Sequence, residues 1–307
     1  MKLDPLSLRL FVAVMEEGTI AAAAAREHLA PAAVSKRIGE LEGALDTVLF
    51  RRSNKGAQPT AAAHALLGLA RGVLNGLDDI AEQMAGYASG LRGHVRVFAN
   101  ISAITQFLPD DLRSFMVAAP LVQVHLQERI STAIAQAVGD STADIGILNA
   151  GAYGEALTVL PYRADELVLI VPRDHALARR KKVRLREALA YDFVGAHPGS
   201  AVNNQLHRAA GEAGLPLRLR IQVGGYDAMS LMVAAGMGVG VLPRQSAGLY
   251  LSSLGIRAVT LDEPWVRRQL VVCVRSLEAL SPAARTLVDH LAVIDGRSKV
   301  HDLGLSP

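Results

Sequence analysis

Aromatic residues are scarce in this 307-residue chain, at 4%, which argues against base-stacking platforms of the kind that RNA and single-strand binders use. Cysteine is nearly absent. The single one, Cys273, excludes a disulfide within the chain, and its place in the apolar run LVVCVR reads as a small core residue rather than a nucleophile. No apolar stretch reaches the roughly 18 residues a bilayer span needs. The opening MKLDPLSLRLFVAVMEEG has a short apolar run followed by acidic residues and no small-residue cleavage site, so no signal peptide and a soluble, cytoplasmic protein are expected. Catalytic signatures are missing as well. The nine histidines show no H-E-x-x-H or paired ligand spacing, and no G-x-S-x-G occurs. The glycines of GMGVG, Gly236 to Gly240, follow a helical stretch and enter a strand, the reverse of a nucleotide loop. The carboxylate pairs Asp78-Asp79 and Asp110-Asp111 read as solvated helix faces. No enzyme, metal site or cofactor is expected.

What is present is a chain sized for two or three domains, with 50% hydrophobic residues and a mean hydropathy of +0.25, which signals well-buried globular cores. Net charge is a mild +3, so the placement of the charge carries more than its sum.

Leu6, Leu10, Phe11 and Val14 keep helical spacing up to Gly18, and Thr19 can cap a second helix over IAAAAAREH. Leu29-Ala30-Pro31 breaks that run, because proline fits only the first turn of a new helix. The third segment, LAPAAVSKRIGELE, places Ala33, Val34, Ile38 and Leu41 on one apolar stripe. Two such helices joined by a tight turn are a helix-turn-helix, whose second helix presents its N-terminal residues to a DNA major groove. Ala32, Ser35, Lys36 and Arg37 occupy that position. VLFRRSNKGAQPT follows, with Arg51, Arg52 and Lys55 and no acidic residue, as a basic hairpin able to follow a phosphate backbone.

The stretch LFVAVMEEGTIAAAAAREHLAPAAVSKRIGELEGALDTVLFRRSNKGAQPTAAA resembles the N-terminal winged helix-turn-helix of LysR-type transcriptional regulators. The shared pattern is aromatic-V-x-x-x-x-x-G-[ST], an alanine pair, A-V-S-[RK]-x-I-x-x-L-E, L-F-x-R, and a threonine opening a long helix. Glu27, Ala30-Pro31 and Asp46 depart from the family's usual apolar residue, polar pair and glycine. Residues 1–59 then form the DNA-binding domain. A helix from Thr60 to about Ser89 follows, with a heptad seam of Leu66, Leu69, Val73, Leu77, Ile80 and Met84. It reads either as packing onto its own domain or as pairing with a second chain, and the resemblance implies the latter, in a homodimer or homotetramer.

After a hinge at Gly90 and Gly93, short buried strands alternate with helices, among them 103–117, 131–139, 201–213 and 227–236. The expected fold class is therefore α/β multidomain. The resemblance implies that residues 90–296 are a periplasmic-binding-protein-like effector domain of two lobes, about 93–162 with 267–296 and about 163–266, before a polar tail at 297–307. Strand-to-helix junctions at Asn100, Ile101 and Ser102, at Ser131 and Thr132, and at Gly199 and Ser200 can aim amides and hydroxyls at a bound anion, though each also reads as an ordinary helix cap. LysR-type resemblance implies that these junctions contact the ligand. The expected partners are duplex operator DNA, a small anionic effector and further copies of the chain, with no membrane. The alternative is a soluble ligand-binding α/β protein or enzyme without a DNA role, which leaves the basic N-terminal module unexplained.

Overall fold

The computed structural model describes residues 3–53, 56–86, 91–153 and 157–292. The N-terminal domain is α1 (Pro5–Glu17), α2 (Ile20–Arg26), α3 (Pro31–Leu45) and a hairpin of β1 (Phe50–Ser53) and β2 (Gly56–Pro59). Capping sets its joints. Asp4 accepts the Ser7 amide at the start of α1, Thr19 accepts the Ala22 amide at the start of α2, and Gly18 ends α1 at φ +72. Asp46 ends α3 in the left-handed region at φ +48, a conformation glycine adopts without strain and aspartate tolerates. Phe11, Leu10, Val34 and Leu49 form its core with Ile38 and Leu41. Ala33, expected on the buried stripe, is exposed instead, because it lies just past the edge of the face that meets α1 and α2.

Thr60 accepts the Ala63 amide and opens α4 (Ala61–Gly86), which is 26 residues long. Leu66, read as part of the seam, packs with Leu67 and Leu74 on the N-terminal core. Leu69, Val73, Leu77, Ile80 and Met84 are 40–61% exposed along one side. The proposed helix end at Ser89 and the hinge at Gly90 lie outside the described residues, as do Lys55 and the tail. No described helix is long and apolar enough to cross a membrane.

The C-terminal half is built on one eight-stranded sheet of order β4-β3-β5-β12-β6-β11-β7, with β10 also paired to β6. The strands β3 (Gly93–Ala99), β4 (Val122–Glu128) and β5 (Ile145–Asn149) run parallel, while β12 (Arg267–Val274) lies antiparallel between β5 and β6 (Thr158–Pro172). β6 is 15 residues long and serves both lobes. Its first half pairs with β12, and its second half pairs with β10 (Gly240–Pro243) and β11 (Ile256–Leu261), which in turn holds β7 (Lys182–Val183). The chain crosses near 160–165 as a continuous strand.

On the first lobe, α6 (Leu108–Ala118) and α12 (Pro282–Leu291) cover one sheet face and α7 (Ser131–Gly139) the other. The second lobe packs α8 (Leu185–Ala188), α9 (Ala201–Glu212), α10 (Tyr226–Ala234), α11 (Arg244–Gly248) and the pair β8 (Phe193–Gly195) and β9 (Leu219–Gln222) around its own core. The single helix expected over 103–117 is two, α5 (Ile101–Gln106) and α6, broken at Phe107 because Pro109 can only begin a helix. Asp111 is not on a solvated face either. Its carboxylate accepts Tyr162 Oη at 2.5 Å and Arg163 Nη2 at 3.0 Å, which ties α6 to the crossing strand.

Candidate functional site

The outer side of α3 is nearly bare. Ala32 and Ala33 are exposed, and a side chain added at Gly39 or Gly43 would meet nothing within 4 Å. Such a smooth face can enter a groove without steric conflict. Lys36 is 78% exposed and stands 3.8 Å from Glu40, a pairing water screens. Ser35 is half-buried beside it. Arg37 is turned toward α1, with Nη1 3.2 Å from the Asp4 carboxylate. Arg51 is exposed on β1, and Arg52 lies on the same strand. Glu42 fixes the wing against α3 by accepting the Leu49 and Phe50 amides at 2.7 and 2.9 Å. At Gly56, φ +110, an added side chain would come within 2.8 Å of the Gly18 carbonyl, so the wing also rests on the α1–α2 turn.

A cavity of about 260 Å³ lies between the two lobes. Asn100, Ser102, Ser131 and Ser200 line it together, whereas Gly199 and Thr132 do not. Gly199, at φ +80, meets Ile130 of the other lobe at the mouth, where a side chain would come within 3.3 Å. Thr132 opens instead onto a shallow depression with Gln136 and Tyr153. Two of the lining residues are caps: Asn100 Oδ1 accepts the Ala103 amide, and Ser200 Oγ accepts the Asn203 amide. α7 differs. Its first turn follows Ile130 and has no side-chain cap, so its leading amides stay open beside Ser131.

Asn149, Glu128, Arg129, His197 and Tyr226 also line the cavity and were not singled out in the sequence. Asn100 and Asn149 sit at the C-terminal ends of the neighbouring strands β3 and β5, the position where open α/β sheets hold ligands, and that pairing was the available signal. Asn149 is only 6% exposed. Its Oδ1 accepts Asn100 Nδ2 at 2.8 Å, while its own Nδ2 has no partner among the described residues. Arg129 lies over the Phe98 ring, 5.7 Å from the centroid, with its charge at the mouth. Burial pushes the Tyr226 phenol above its ordinary range, so it remains a neutral donor.

Ser102 Oγ lies 3.0 Å from Tyr226 Oη across the lobes and accepts Arg268 Nη2 at 3.1 Å. Arg268 and Asp165 form a fully buried pair at the crossing strands, with Nε donating to Oδ1 at 2.8 Å and a second, shorter bond from Nη2 to Oδ2. Thr105 Oγ1 and Ser246 Oγ, 2.8 Å apart, make a further stitch between the lobes. Among the described residues no His, Cys, Asp and Glu cluster could hold a metal ion.

A winged helix-turn-helix joined through one long helix to a two-lobed domain with a cavity between its lobes defines a one-component regulator that reads DNA at one end and a small molecule at the other. The family is equally plain. The LysR substrate binding domain matches residues 88–293 and the bacterial regulatory helix-turn-helix of the lysR family matches 6–64, so the chain belongs to the LysR family of transcriptional regulators. The uncharacterized HTH-type transcriptional regulator YnfL of Escherichia coli K12 is 29% identical over 298 residues, 95% of this chain and 98% of that protein. Full-length CbnR complexed with its target DNA superposes with a TM-score of 0.64 at 23% identity, over 94% of this chain and 99% of that one. The effector binding domain of QuiR in complex with shikimate does so at 0.60 and 17% identity, over 66% of this chain and 96% of that one.

Proposed function

We propose that this regulator binds duplex operator DNA through the bare face of α3 and the wing, with Ala32, Ser35, Lys36 and Arg37 in the groove and Arg51, Arg52 and Lys55 along the backbone. It does so as a dimer or tetramer paired through α4, and it answers to a small carboxylate held between the lobes. It acts in the cytoplasm, where its operator is, and as a regulator rather than an enzyme. The observation that carries the ligand class is Asn149 Nδ2, without a partner among the described residues and buried in the cavity wall beside the uncapped start of α7. A buried donor without a partner is costly, and a carboxylate between that amide and the open α7 amides would satisfy both. Shikimate, the ligand in the QuiR complex, is a carboxylate of suitable size.

Calorimetric titration of the full chain against small organic acids and their uncharged amides tests this. An acid that binds should bind more weakly by about tenfold or more in Asn149→Ala, the loss expected for a hydrogen bond to a charged group. Preference for the amide, or affinity unchanged in Asn149→Ala, would overturn the carboxylate assignment.

A further inference from the structure

Arg71, on α4, touches the other two parts of the chain. Its Nη2 donates to Glu16 Oε1 of α1 at 2.8 Å. Its Nη1 donates to Thr142 Oγ1 at 2.6 Å and stands 3.3 Å from Asp140 Oδ2, both in the turn that ends α7. The Arg71 side chain is only 16% exposed, and its planar guanidinium fork suits the two carboxylates it joins. Glu16 in turn accepts Arg26 Nη1 at 2.6 Å, which carries the contact to the end of α2, the helix that leads into the recognition turn.

Several features hold this junction close. Gly68 lies one turn before Arg71, and a Cβ there would sit 3.2 Å from Asp140 Cα and 3.3 Å from the Gly139 carbonyl, so α4 meets the turn backbone to backbone. One turn after Arg71, Asn75 Nδ2 donates to the Ser141 carbonyl at 3.0 Å, and its Oδ1 accepts Arg96 Nη1 at 2.8 Å. Arg96 is itself gripped by Asp144 through Nε and Nη2 at 3.1 and 2.5 Å. The turn is stiff, with Ser141 at φ +58 and Asp140 Oδ1 accepting the Thr142 amide at 3.1 Å.

The other end of α7 opens on the cavity. Ser131 lines the wall and accepts Asn100 Nδ2 at 3.4 Å, and only nine residues separate the cavity end from the Asp140 end, about 13.5 Å along a helix. Ile134 and Val138 are fully buried against the sheet, so the helix shifts as a body rather than bending. We infer that α7 is a rod that carries the state of the cavity to the DNA-binding domain of the same chain, with Arg71 as the positioning residue that receives it. The inference rests on the reading of the cavity as the effector site. Coupling needs a ligand that favours one arrangement of this contiguous set of contacts over another, and the start of α7 is where such a ligand would press.

The test needs no identified effector. Ser131→Asp fixes a carboxylate at the start of α7 and stands in for a bound anion. With the full chain and a duplex carrying a site first located by footprinting, Ser131→Asp should shift the Kd for DNA by about fivefold, the lower range of allosteric couplings. In the Arg71→Gln background the shift should fall below about twofold, and Arg71→Lys should keep part of it because charge survives without the fork. Glu16→Gln removes the charge at the other side of the contact with little change of shape and should uncouple in the same way, which keeps the test open if Arg71→Gln unfolds. An equal shift in all backgrounds, or no shift in any, would overturn the inference. Calorimetry on the unaltered chain separates the two ideas. A failure of every organic acid to bind, with the Arg71-dependent shift intact, would sink the carboxylate reading and leave the rod standing.

Discussion

Lys36 and Arg51 are exposed cations on the α3 and wing face, whereas Arg37 faces the Asp4 carboxylate. Replacing Lys36 or Arg51 by alanine should each flatten the salt dependence of DNA binding by about one unit of slope, as expected for one released counterion per phosphate contact. An unchanged slope in gel-shift titrations from 50 to 200 mM salt would place that residue off the backbone. Cys273 belongs to the same scale. Burial pushes its thiol up to about 12, and its Sγ fills the space a side chain at Gly146 would need. At pH 8 a thiol of that pKa holds on the order of one part in ten thousand as thiolate, the reactive form. Iodoacetamide should therefore leave the native chain unmodified for hours and label it only after denaturation, with mass spectrometry as the readout. Labelling of the native chain would show that the site opens.

At the scale of elements, α4 presents two different sides. Leu66, Leu67 and Leu74 close the N-terminal core, while Leu69, Val73, Leu77, Ile80 and Met84 leave an apolar stripe in water. Such a stripe on a long helix calls for a second helix. Val73→Asp with Leu77→Asp should convert the oligomer to monomer in sedimentation velocity while thermal unfolding still shows a folded chain. Retention of the oligomer would move the contact elsewhere. The exposed side of α4 from Leu69 to Met84, the three N-terminal helices and the α/β alternation were legible because each rests on local periodicity and on capping residues such as Thr19, while Leu66, read into the same stripe, turned to the core. The split of 103–117 is legible in Pro109, which can only begin a helix. The partners of Asp111, Arg268 and Arg71 were not readable, since Asp165 and Arg268 meet from 103 positions apart and Arg71 and Thr142 from 71. Spacing within a window carries no trace of such pairs. The role of Asn149 is hidden for a related reason: nothing in DIGILN says that its Nδ2 would find no partner among the described residues.

For the whole molecule, the sheet order has a consequence in time. β12, near the C-terminal end of the described chain, lies between β5 and β6, in the middle of the sheet, and α12 follows it onto the first lobe. A ribosome delivers residues in order at roughly 5 to 20 per second. The N-terminal domain, whose core is closed once α4 has been made as far as Leu74, is therefore synthesised about 10 to 40 seconds before Val274. Until β12 arrives, β5 and β6 lack the strand between them, and the wall that holds Asn149 is unfinished. A nascent chain thus carries a finished reading head for DNA before it has any sense organ, and a message cut short before the codons of β12 would yield a protein that grips its operator but is deaf to its effector.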